Sequence, residues 1–172
     1  MAYVYVSIGS NIDRYRHVAA ALDALQVQFG ALDLSPVYES ESVGFDGNPF
    51  LNLVAGFHCQ LAVAELATAL RAIEYAHGRR PDAPKFGSRT IDIDILTVDA
   101  QTGDIDGVRL PRAEIIENAF VLLPLAQLAG DVLHPTAGKT YRHLWQEYDQ
   151  SSQQLWPVDF QWQGRIISTA AA

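Results

Sequence analysis

Two strand–helix–strand patterns in succession predict an α+β fold with the ferredoxin-like order βαββαβ. In each pattern an apolar strand precedes an amphipathic helix that ends at a glycine, and a second apolar strand follows. This order predicts a mostly antiparallel sheet with both helices packed on one face. The opposite face is then available for a ligand and for additional C-terminal elements.

The first unit opens and closes with apolar runs of strand length, at residues 3–8 and 32–38. Between them, apolar side chains recur at helical spacing from about Arg14 onward, and Gly30 provides the stop signal. Residues 40–49 are rich in Glu, Ser, Gly and Asp, so a loop is predicted there.

The second unit opens with a predicted strand over residues 50–59. A helix is predicted over 61–77, with Gly78 as its stop signal. A polar loop follows, and the unit closes with the short apolar strand that contains Asp92 and Asp94.

The remaining chain is predicted to add C-terminal elements to this core. It becomes helical by about Asn118. In residues 151–172 aromatic and polar side chains alternate, which fits either a terminal strand pair or a loosely packed tail. We expect one domain over residues 1–172, with a core of about 3–145 and an extension of about 146–172.

Composition narrows the class of protein. The chain has 172 residues, 49% of them hydrophobic, which is enough for a substantial core. A net charge of −8 argues against a nucleic-acid binder, and no apolar run is long enough to span a membrane. A single cysteine excludes an internal disulfide, and the N-terminus has no signal-peptide pattern. We therefore expect a cytoplasmic protein, a monomer, without nucleic-acid or membrane partners.

The most informative feature is the pair Asp92 and Asp94 in the last strand of the second unit. Side chains alternate along a strand, so both carboxylates lie on one face, with α-carbons about 7 Å apart. Two carboxylates this close repel each other, and an oxygen-coordinated divalent cation between them relieves the repulsion. The alternative is a half-exposed strand whose polar side chains simply face water.

The stretch upstream of this pair is basic and poor in apolar residues. Residues 78–89 contain four cations, two glycines and two prolines, which predicts a mobile loop that leads into the acidic strand. This combination fits a nucleoside triphosphate with its metal, because the cations bind phosphate oxygens while the carboxylates bind the metal.

Residues 85–96 read Lys-x-Gly-Ser-Arg-x-x-Asp-Ile-Asp-Ile-Leu. This segment resembles the signature of the 6-hydroxymethyl-7,8-dihydropterin pyrophosphokinase family, enzymes of folate biosynthesis. Residues 8–11, 35–44, 49–52 and 74–79 are similar to further family elements in the same order. The resemblance covers roughly residues 3 to 145.

The resemblance implies transfer of an intact pyrophosphate from ATP, the co-substrate, to the hydroxymethyl group of the pterin, leaving AMP. It implies that Asp92 and Asp94 hold two Mg²⁺ ions and that Asp94 also accepts the hydroxyl proton. Arg79 and Arg89 would be catalytic residues that bind the triphosphate and its developing charge. Positioning and electrostatics of this kind are what phosphoryl transfer requires.

The resemblance also implies two sets of substrate contacts. In the family pattern two aromatic residues sandwich the pterin while an amide and a loop backbone bind its edge; here these are Phe50, Phe120, Asn52, Ser40, Val43 and Gly44. The nucleotide contacts would be Glu74, Arg79, Arg89, Ile95, Val108, Arg109 and Arg112. The alternative for the two phenylalanines, and for Ile95, is ordinary core packing.

Several positions depart from the family pattern. Arg112 stands where the family usually has histidine, and Asn118 stands where it has arginine. Phe86 replaces a common tryptophan, and Pro81 replaces a frequent second arginine. Arg112 could supply the missing charge from a new direction, or it could simply follow a proline on the surface.

These departures keep other functions open. One is a divergent paralogue that acts on another pterin-like alcohol, and another is a metal-dependent phosphate-ester enzyme. A non-catalytic pterin- or nucleotide-binding module on the same scaffold is the alternative from a different class.

Overall fold

A computed structural model describes residues 1–41, 47–78 and 90–170 of the chain. The strands are β1 Ala2–Ser10, β2 Asp33–Leu34, β3 Tyr38–Ser40, β4 Phe50–Cys59, β5 Asp92–Val98, β6 Gly103–Ile105, β7 Val108–Leu110, β8 Leu155–Pro157, β9 Phe160–Trp162 and β10 Arg165–Ser168. The helices are α1 Arg14–Phe29, α2 Val63–Ala76, α3 Glu114–Glu117, α4 Ala119–Ala129 and α5 Tyr141–Glu147. Among the described residues, no helix is both long enough and apolar enough to cross a bilayer.

The main sheet has the strand order β5-β1-β4-β3-β8, and β2 also pairs with β4. Each strand pair identified in the described ranges is antiparallel. Val6, Ile8 and Leu53 face one side of the sheet and are buried against α1 and α2. The predicted α+β, ferredoxin-like fold is therefore confirmed, with both predicted helices on one face.

The second predicted strand is interrupted. In place of one strand over 32–38 the chain forms two short strands, β2 and β3, which together lie within residues 33–40, with Pro36 between them. Pro36 has no N–H to donate to a neighbouring strand. The hydroxyl of Ser35 instead accepts a hydrogen bond from the Val54 amide at 2.8 Å, which holds the interruption against β4.

The second face of the sheet carries its own apolar cluster. Helix α4, which begins close to the predicted position Asn118, packs there with α5 over Val54 and Leu96. This cover does not extend over the whole face, because Phe50, Asp92 and Asp94 remain only half-buried. The uncovered end of the sheet is where the candidate site lies.

Of the two alternatives for the C-terminus, the strand pair is correct for residues up to 170. Strands β9 and β10 form a hairpin in which Phe160 and Trp162 are 4% and 3% exposed. The ring of Phe160 stacks on Tyr15 at 5.8 Å, and the indole of Trp162 donates to Asp23 at 2.9 Å. These contacts fasten the hairpin to α1.

Candidate active site

The two aspartates of β5 lie on one face of the sheet. Their neighbours Ile91, Ile93 and Ile95 are 0%, 3% and 7% exposed on the opposite face, whereas Asp92 and Asp94 are half-buried. The predicted alternation is therefore confirmed. The uncovered end of the second face thus carries two neighbouring carboxylates.

The Asp94 carboxyl is held in an unfavourable environment for a negative charge. Burial, together with the negative charge of Asp92, raises the pKa of Asp94 to about 7. The guanidinium of Arg112, whose Nη2 lies 3.6 Å from Asp94 Oδ2, acts in the opposite direction but does not compensate. A further cation at this position would therefore be stabilised.

This raised pKa makes the stability of the metal-free protein dependent on pH. An ordinary carboxyl titrates near pH 4 in the unfolded chain. Because Asp94 keeps its proton up to about pH 7 in the native state, its contribution is complete below about pH 4 and is lost as the pH rises through 7. We expect the free energy of unfolding in chelator to fall less over this range in Asp94→Asn than in the wild type.

Denaturant unfolding at several pH values measures this difference. Asp131→Asn is the matched control, because Asp131 is an exposed aspartate paired with Arg142 away from β5. Identical pH profiles for the wild type and Asp94→Asn would contradict the assigned environment of Asp94.

The carboxylate pair fits magnesium that arrives with a ligand. Within the described ranges, no three His, Cys, Asp or Glu side chains are grouped so that they could hold a metal ion. Mg²⁺ is commonly bound by one or two carboxylates, with waters and substrate phosphates completing its shell. Asp92 and Asp94, with the raised pKa of Asp94, match that donor set.

A cavity of about 420 Å³ opens beside Asp94. Its walls come from α2, β5, β7 and the start of α3. The cavity contains five of the side chains predicted to contact metal or nucleotide: Asp94, Ile95, Val108, Arg109 and Arg112. The structure thus brings together residues that are up to 18 positions apart in the sequence.

One wall of this cavity is a hairpin that the sequence analysis missed. Strands β6 and β7 are joined by Asp106 and Gly107, both with positive φ (53° and 83°), as a tight two-residue hairpin turn requires. The carboxylate of Asp106 accepts a hydrogen bond from the Ala64 amide at 3.2 Å, which fixes the hairpin beside α2. The Asp-Gly pair, flanked by Ile105 and Val108, was the signal that could have revealed it.

Glu74 is fully buried, and it joins α2 to β5. Its carboxylate accepts a hydrogen bond from the Ile93 amide at 2.8 Å and pairs with Arg71 at 2.9 Å. Arg71 also lines the cavity and was not predicted as a site residue, although its i,i+3 spacing from Glu74 could have indicated the pair. A direct contact of Glu74 with nucleotide stays a prediction.

Asn52 lies on the same face of the sheet as the aspartates, two strands away from them. Asn52 is 8% exposed, and its amide donates to Ser40 Oγ at 2.7 Å, which joins β4 to β3. Phe50 lies on the same face of β4, and Phe120 lies at the start of α4, which covers that face. Val43 and Gly44, like Arg79 and Arg89, lie outside the described residues.

The register of β4, β1 and β5 places Asn52, Gly9 and Asp92 in one row across the sheet. Gly9 of β1 pairs with Asp92 of β5 on one side and with Asn52 of β4 on the other. Since strands are about 4.8 Å apart, Asp92 and Asn52 are separated by roughly 10 Å, and Gly9 between them contributes no side chain. Gly9 belongs to the segment 8–11 that resembles a family element, but the sequence did not predict this role.

Gly9→Ala is a steric test of this row. The added Cβ would lie 3.3 Å from Asn52 Oδ1 and 3.6 Å from Phe50 Cδ1, while the backbone φ of Gly9 is compatible with alanine. We expect weaker pterin binding with nearly unchanged nucleotide affinity, as measured by calorimetry with each ligand. Equal losses for both ligands would contradict a pterin site at this row.

Arg112 lies inside the cavity and is partly buried. Its amide donates to Leu96 O at 2.9 Å, so the backbone is fixed on β5. Its Nε and Nη2 donate to Glu114 Oε1 at 3.1 and 2.6 Å, and Nη2 also lies near Asp94. Asn118 donates to the other oxygen of Glu114 at 3.3 Å. Arg112 and Asn118, two of the departures from the family pattern, therefore bind the same carboxylate, that of Glu114.

A carboxylate pair of which one member, Asp94, lines a cavity beside an arginine is typical of enzymes that bind phosphate through a divalent metal. The family profile described as 7,8-dihydro-6-hydroxymethylpterin-pyrophosphokinase (HPPK) matches residues 5–130. The chain belongs to this family.

Two curated relatives agree with this assignment. The chain is 39% identical over 145 residues to 2-amino-4-hydroxy-6-hydroxymethyldihydropteridine pyrophosphokinase of Pseudomonas aeruginosa, covering 82% of this chain and 86% of the relative. It is 32% identical over 147 residues to the enzyme of that name in Aquifex aeolicus, covering 84% and 91%.

A crystal structure of Plasmodium falciparum HPPK-DHPS A437G with SDX-DHP shares the fold. It has a TM-score of 0.73 at 13% identity, and the match covers 97% of this chain. The chain spans about half, 48%, of that longer protein. This likeness supports the fold alone.

Proposed function

We propose that this protein transfers pyrophosphate from ATP to the hydroxymethyl group of 6-hydroxymethyl-7,8-dihydropterin, giving AMP and the pterin diphosphate in folate biosynthesis. The observation that carries the proposal is the row Asp92–Gly9–Asn52. The row supports the proposal because it has a carboxylate suited to a metal about two strand spacings from a hydrogen-bonding amide suited to a heterocycle edge. The cavity proposed for the nucleotide opens beside Asp94, the second carboxylate of β5.

In the proposed reaction, the pterin hydroxyl oxygen bonds to the β-phosphorus of ATP as the bond to the α–β bridging oxygen breaks. AMP leaves with that oxygen, and a carboxylate oxygen of Asp94 accepts the hydroxyl proton. Asp92 and Asp94 would hold magnesium, two ions by family resemblance, which would neutralise phosphate charge when bound. The raised pKa of Asp94, about 7, supports this role, because its environment is unfavourable for an uncompensated negative charge.

Other residues have binding roles in this proposal. Arg112 is proposed to face the triphosphate, and Ile95, Val108 and Arg109 are proposed to contact the adenine, since all four line the cavity. Arg79 and Arg89 are proposed to complete the phosphate contacts. Glu74 supports the nucleotide side of the site from its buried position between α2 and β5.

The pterin is proposed to lie between Phe50 and Phe120. Asn52 and Ser40, which are already hydrogen-bonded to each other, bind its polar edge together with the backbone of Val43 and Gly44.

AMP formation from ATP, measured with and without the pterin and with and without Mg²⁺, tests the proposal. We expect AMP and pterin diphosphate in equal amounts, and only when both pterin and metal are present. ATP turnover without pterin would instead indicate a metal-dependent hydrolase. Metal-independent pterin binding without any turnover would indicate a binding module.

Phe120→Ala and Asn52→Ala are expected to weaken pterin binding far more than ATP binding. Stacking on an aromatic ring contributes roughly 1–3 kcal/mol by analogy with nucleobases. An unpaired buried polar edge costs about as much. Calorimetric titration with each ligand measures the selectivity.

Phe120→Leu is the matched control for packing, because it keeps an apolar side chain on α4 without a planar ring. We expect it to weaken pterin binding while preserving the thermal unfolding midpoint. Pterin and ATP affinities that fall equally in Phe120→Ala would identify Phe120 as a packing residue.

Three further proposals concern the whole chain. Residues 1–172 form one domain, with a core of about 3–145 and an extension of about 146–172; pairing of β8 with β3 supports this. The protein acts as a monomer, which light scattering on the purified chain measures. A cytoplasmic location stays a prediction from the sequence.

A further inference from the structure

The segment before β8 contacts the junction between α3 and α4. Gln153 Oε1 accepts a hydrogen bond from the Ala119 amide at 2.8 Å. Gln153 Nε2 donates to Asn118 Oδ1 at 3.0 Å. Gln153 lies beyond the 5–130 region matched by the family profile, so neither the profile nor the resemblance assigns it a role.

From Asn118 a line of polar contacts continues to β5. Asn118 Nδ2 donates to Glu114 Oε2 at 3.3 Å, and Glu114 Oε1 accepts from Arg112 Nη2 at 2.6 Å. The same Nη2 lies 3.6 Å from Asp94 Oδ2. The C-terminal segment is thereby connected to the nucleotide cavity.

In each hydrogen bond of this line, the choice of donor and acceptor is determined by the groups at the two ends of the line. Both oxygens of Glu114 accept hydrogen bonds, so Asn118 must turn its amide nitrogen toward Glu114 and its oxygen toward Gln153. Gln153 must then present Nε2 to that oxygen, which leaves Oε1 for the Ala119 amide. Rotation of either amide would break two bonds at once, so Gln153 holds the Asn118 amide in a single orientation.

Glu114 in turn determines where Arg112 points. Its two oxygens are divided, one bonded to Asn118 and one to the guanidinium of Arg112. If the Asn118 amide were released, Glu114 could rotate and take Arg112 with it. Arg112 would then move away from Asp94 and from the wall of the cavity.

We propose that Gln153 is a positioning residue, which orients Arg112 toward the bound triphosphate through Asn118 and Glu114. The proposal rests on the proposed function, in which Arg112 contacts the nucleotide. It assigns the C-terminal extension a part in nucleotide binding rather than only in packing.

The line of hydrogen bonds from Gln153 through Asn118 and Glu114 to Arg112 is called the relay below. Gln153→Glu tests it selectively. The new carboxylate still accepts from the Ala119 amide but cannot donate to Asn118 Oδ1. We expect the Kd for a non-hydrolysable Mg·ATP analogue, measured by calorimetry, to rise about three- to tenfold, as for loss of one hydrogen bond. The KM for ATP should rise similarly, while the KM for the pterin should change less than twofold.

Two comparisons separate the relay from added charge. Gln150→Glu adds the same charge three positions upstream, where the side chain donates to Trp145 O at 3.2 Å, and it should leave nucleotide affinity unchanged. In an Asn118→Ala background the relay is already broken, so Gln153→Glu should then change the Kd less than twofold. An undiminished effect in that background would overturn the proposal.

Gln153→Met, which keeps the chain length without either hydrogen-bonding group, repeats the test if Gln153→Glu does not fold. Wild-type nucleotide affinity in a folded Gln153 variant overturns the positioning role alone. Absence of AMP formation by a wild-type protein that still binds nucleotide overturns the proposed function alone.

Discussion

Replacing either Asp92 or Asp94 with alanine is expected to abolish turnover while the fold persists. Each substitution removes one of the two carboxylates proposed to hold magnesium, and phosphoryl transfer relies on positioning and charge neutralisation. The fold should persist because the buried side of β5 is formed by isoleucines that remain in place. Steady-state kinetics of AMP formation at saturating ATP, pterin and Mg²⁺ measure the loss.

The structure adds a second expectation for Asp94→Ala. In the metal-free protein this carboxyl is destabilised by burial and by Asp92, which raise its pKa. Its removal should therefore leave the thermal unfolding midpoint in chelator unchanged or higher. Asp131→Ala is the matched control, because it removes an aspartate from an exposed ion pair of little energetic value.

Retention of more than about a tenth of the wild-type kcat by either variant would contradict the metal assignment. A tenfold loss corresponds to only about 1.4 kcal/mol of barrier, which is small for a metal ligand. A variant that lost activity together with its cooperative unfolding transition would contradict the expectation that the fold persists.

Periodicity was sufficient to predict β5, α1 and α2, although not the β6–β7 hairpin that forms one wall of the cavity. Alternation along β5 predicted which side chains face the ligand, because strand geometry fixes the side of each residue. Helical spacing and a terminal glycine predicted α1 and α2 for a similar local reason. Such patterns depend only on the local sequence of each element.

The groups that face one another across the sheet could not be predicted in this way. Gly9 lies between Asp92 and Asn52 because of the register of three strands that are distant in the sequence. A one-residue slip would have turned these side chains to the other face. The family resemblance named two of these residues, but the register shows why a glycine stands between them.

The polar contacts around Arg112 were equally hidden from the sequence. Its pairing with Glu114 needs the chain to turn directly after β7, and the contact to Asp94 needs that turn to lie on β5. Gln153 meets Asn118 across 35 positions, a separation that no local pattern reports. Such contacts depend on tertiary packing rather than on propensity.

Arg112→Ala is expected to lower kcat/KM for ATP at least tenfold. Arg112 is the residue that stands in the family's histidine position, and it lies in the cavity within 3.6 Å of Asp94. An arginine keeps its charge and can grip two phosphate oxygens, whereas a neutral histidine donates one bond. Arg112→Lys, which keeps the charge without the planar fork, should retain intermediate activity.

Asn118→Arg, which restores the family's arginine, should partly rescue Arg112→Ala. Asn118 already reaches Glu114 Oε2 at 3.3 Å, so an arginine there would bring a cation to the carboxylate that Arg112 has left. The two substitutions should therefore be non-additive in a double-mutant cycle on kcat/KM. Arg142→Ala, which breaks an exposed ion pair with Asp131, is the control for loss of an arginine elsewhere.

A silent Arg112→Ala variant would contradict the compensating role and leave the phosphate contacts to Arg79 and Arg89. A strictly additive cycle would show that positions 112 and 118 act independently, contrary to the shared bond partner at Glu114. The expected coupling arises because one carboxylate, that of Glu114, binds both side chains through its two oxygens. A substitution at either position therefore changes the hydrogen bonding of Glu114 with the other.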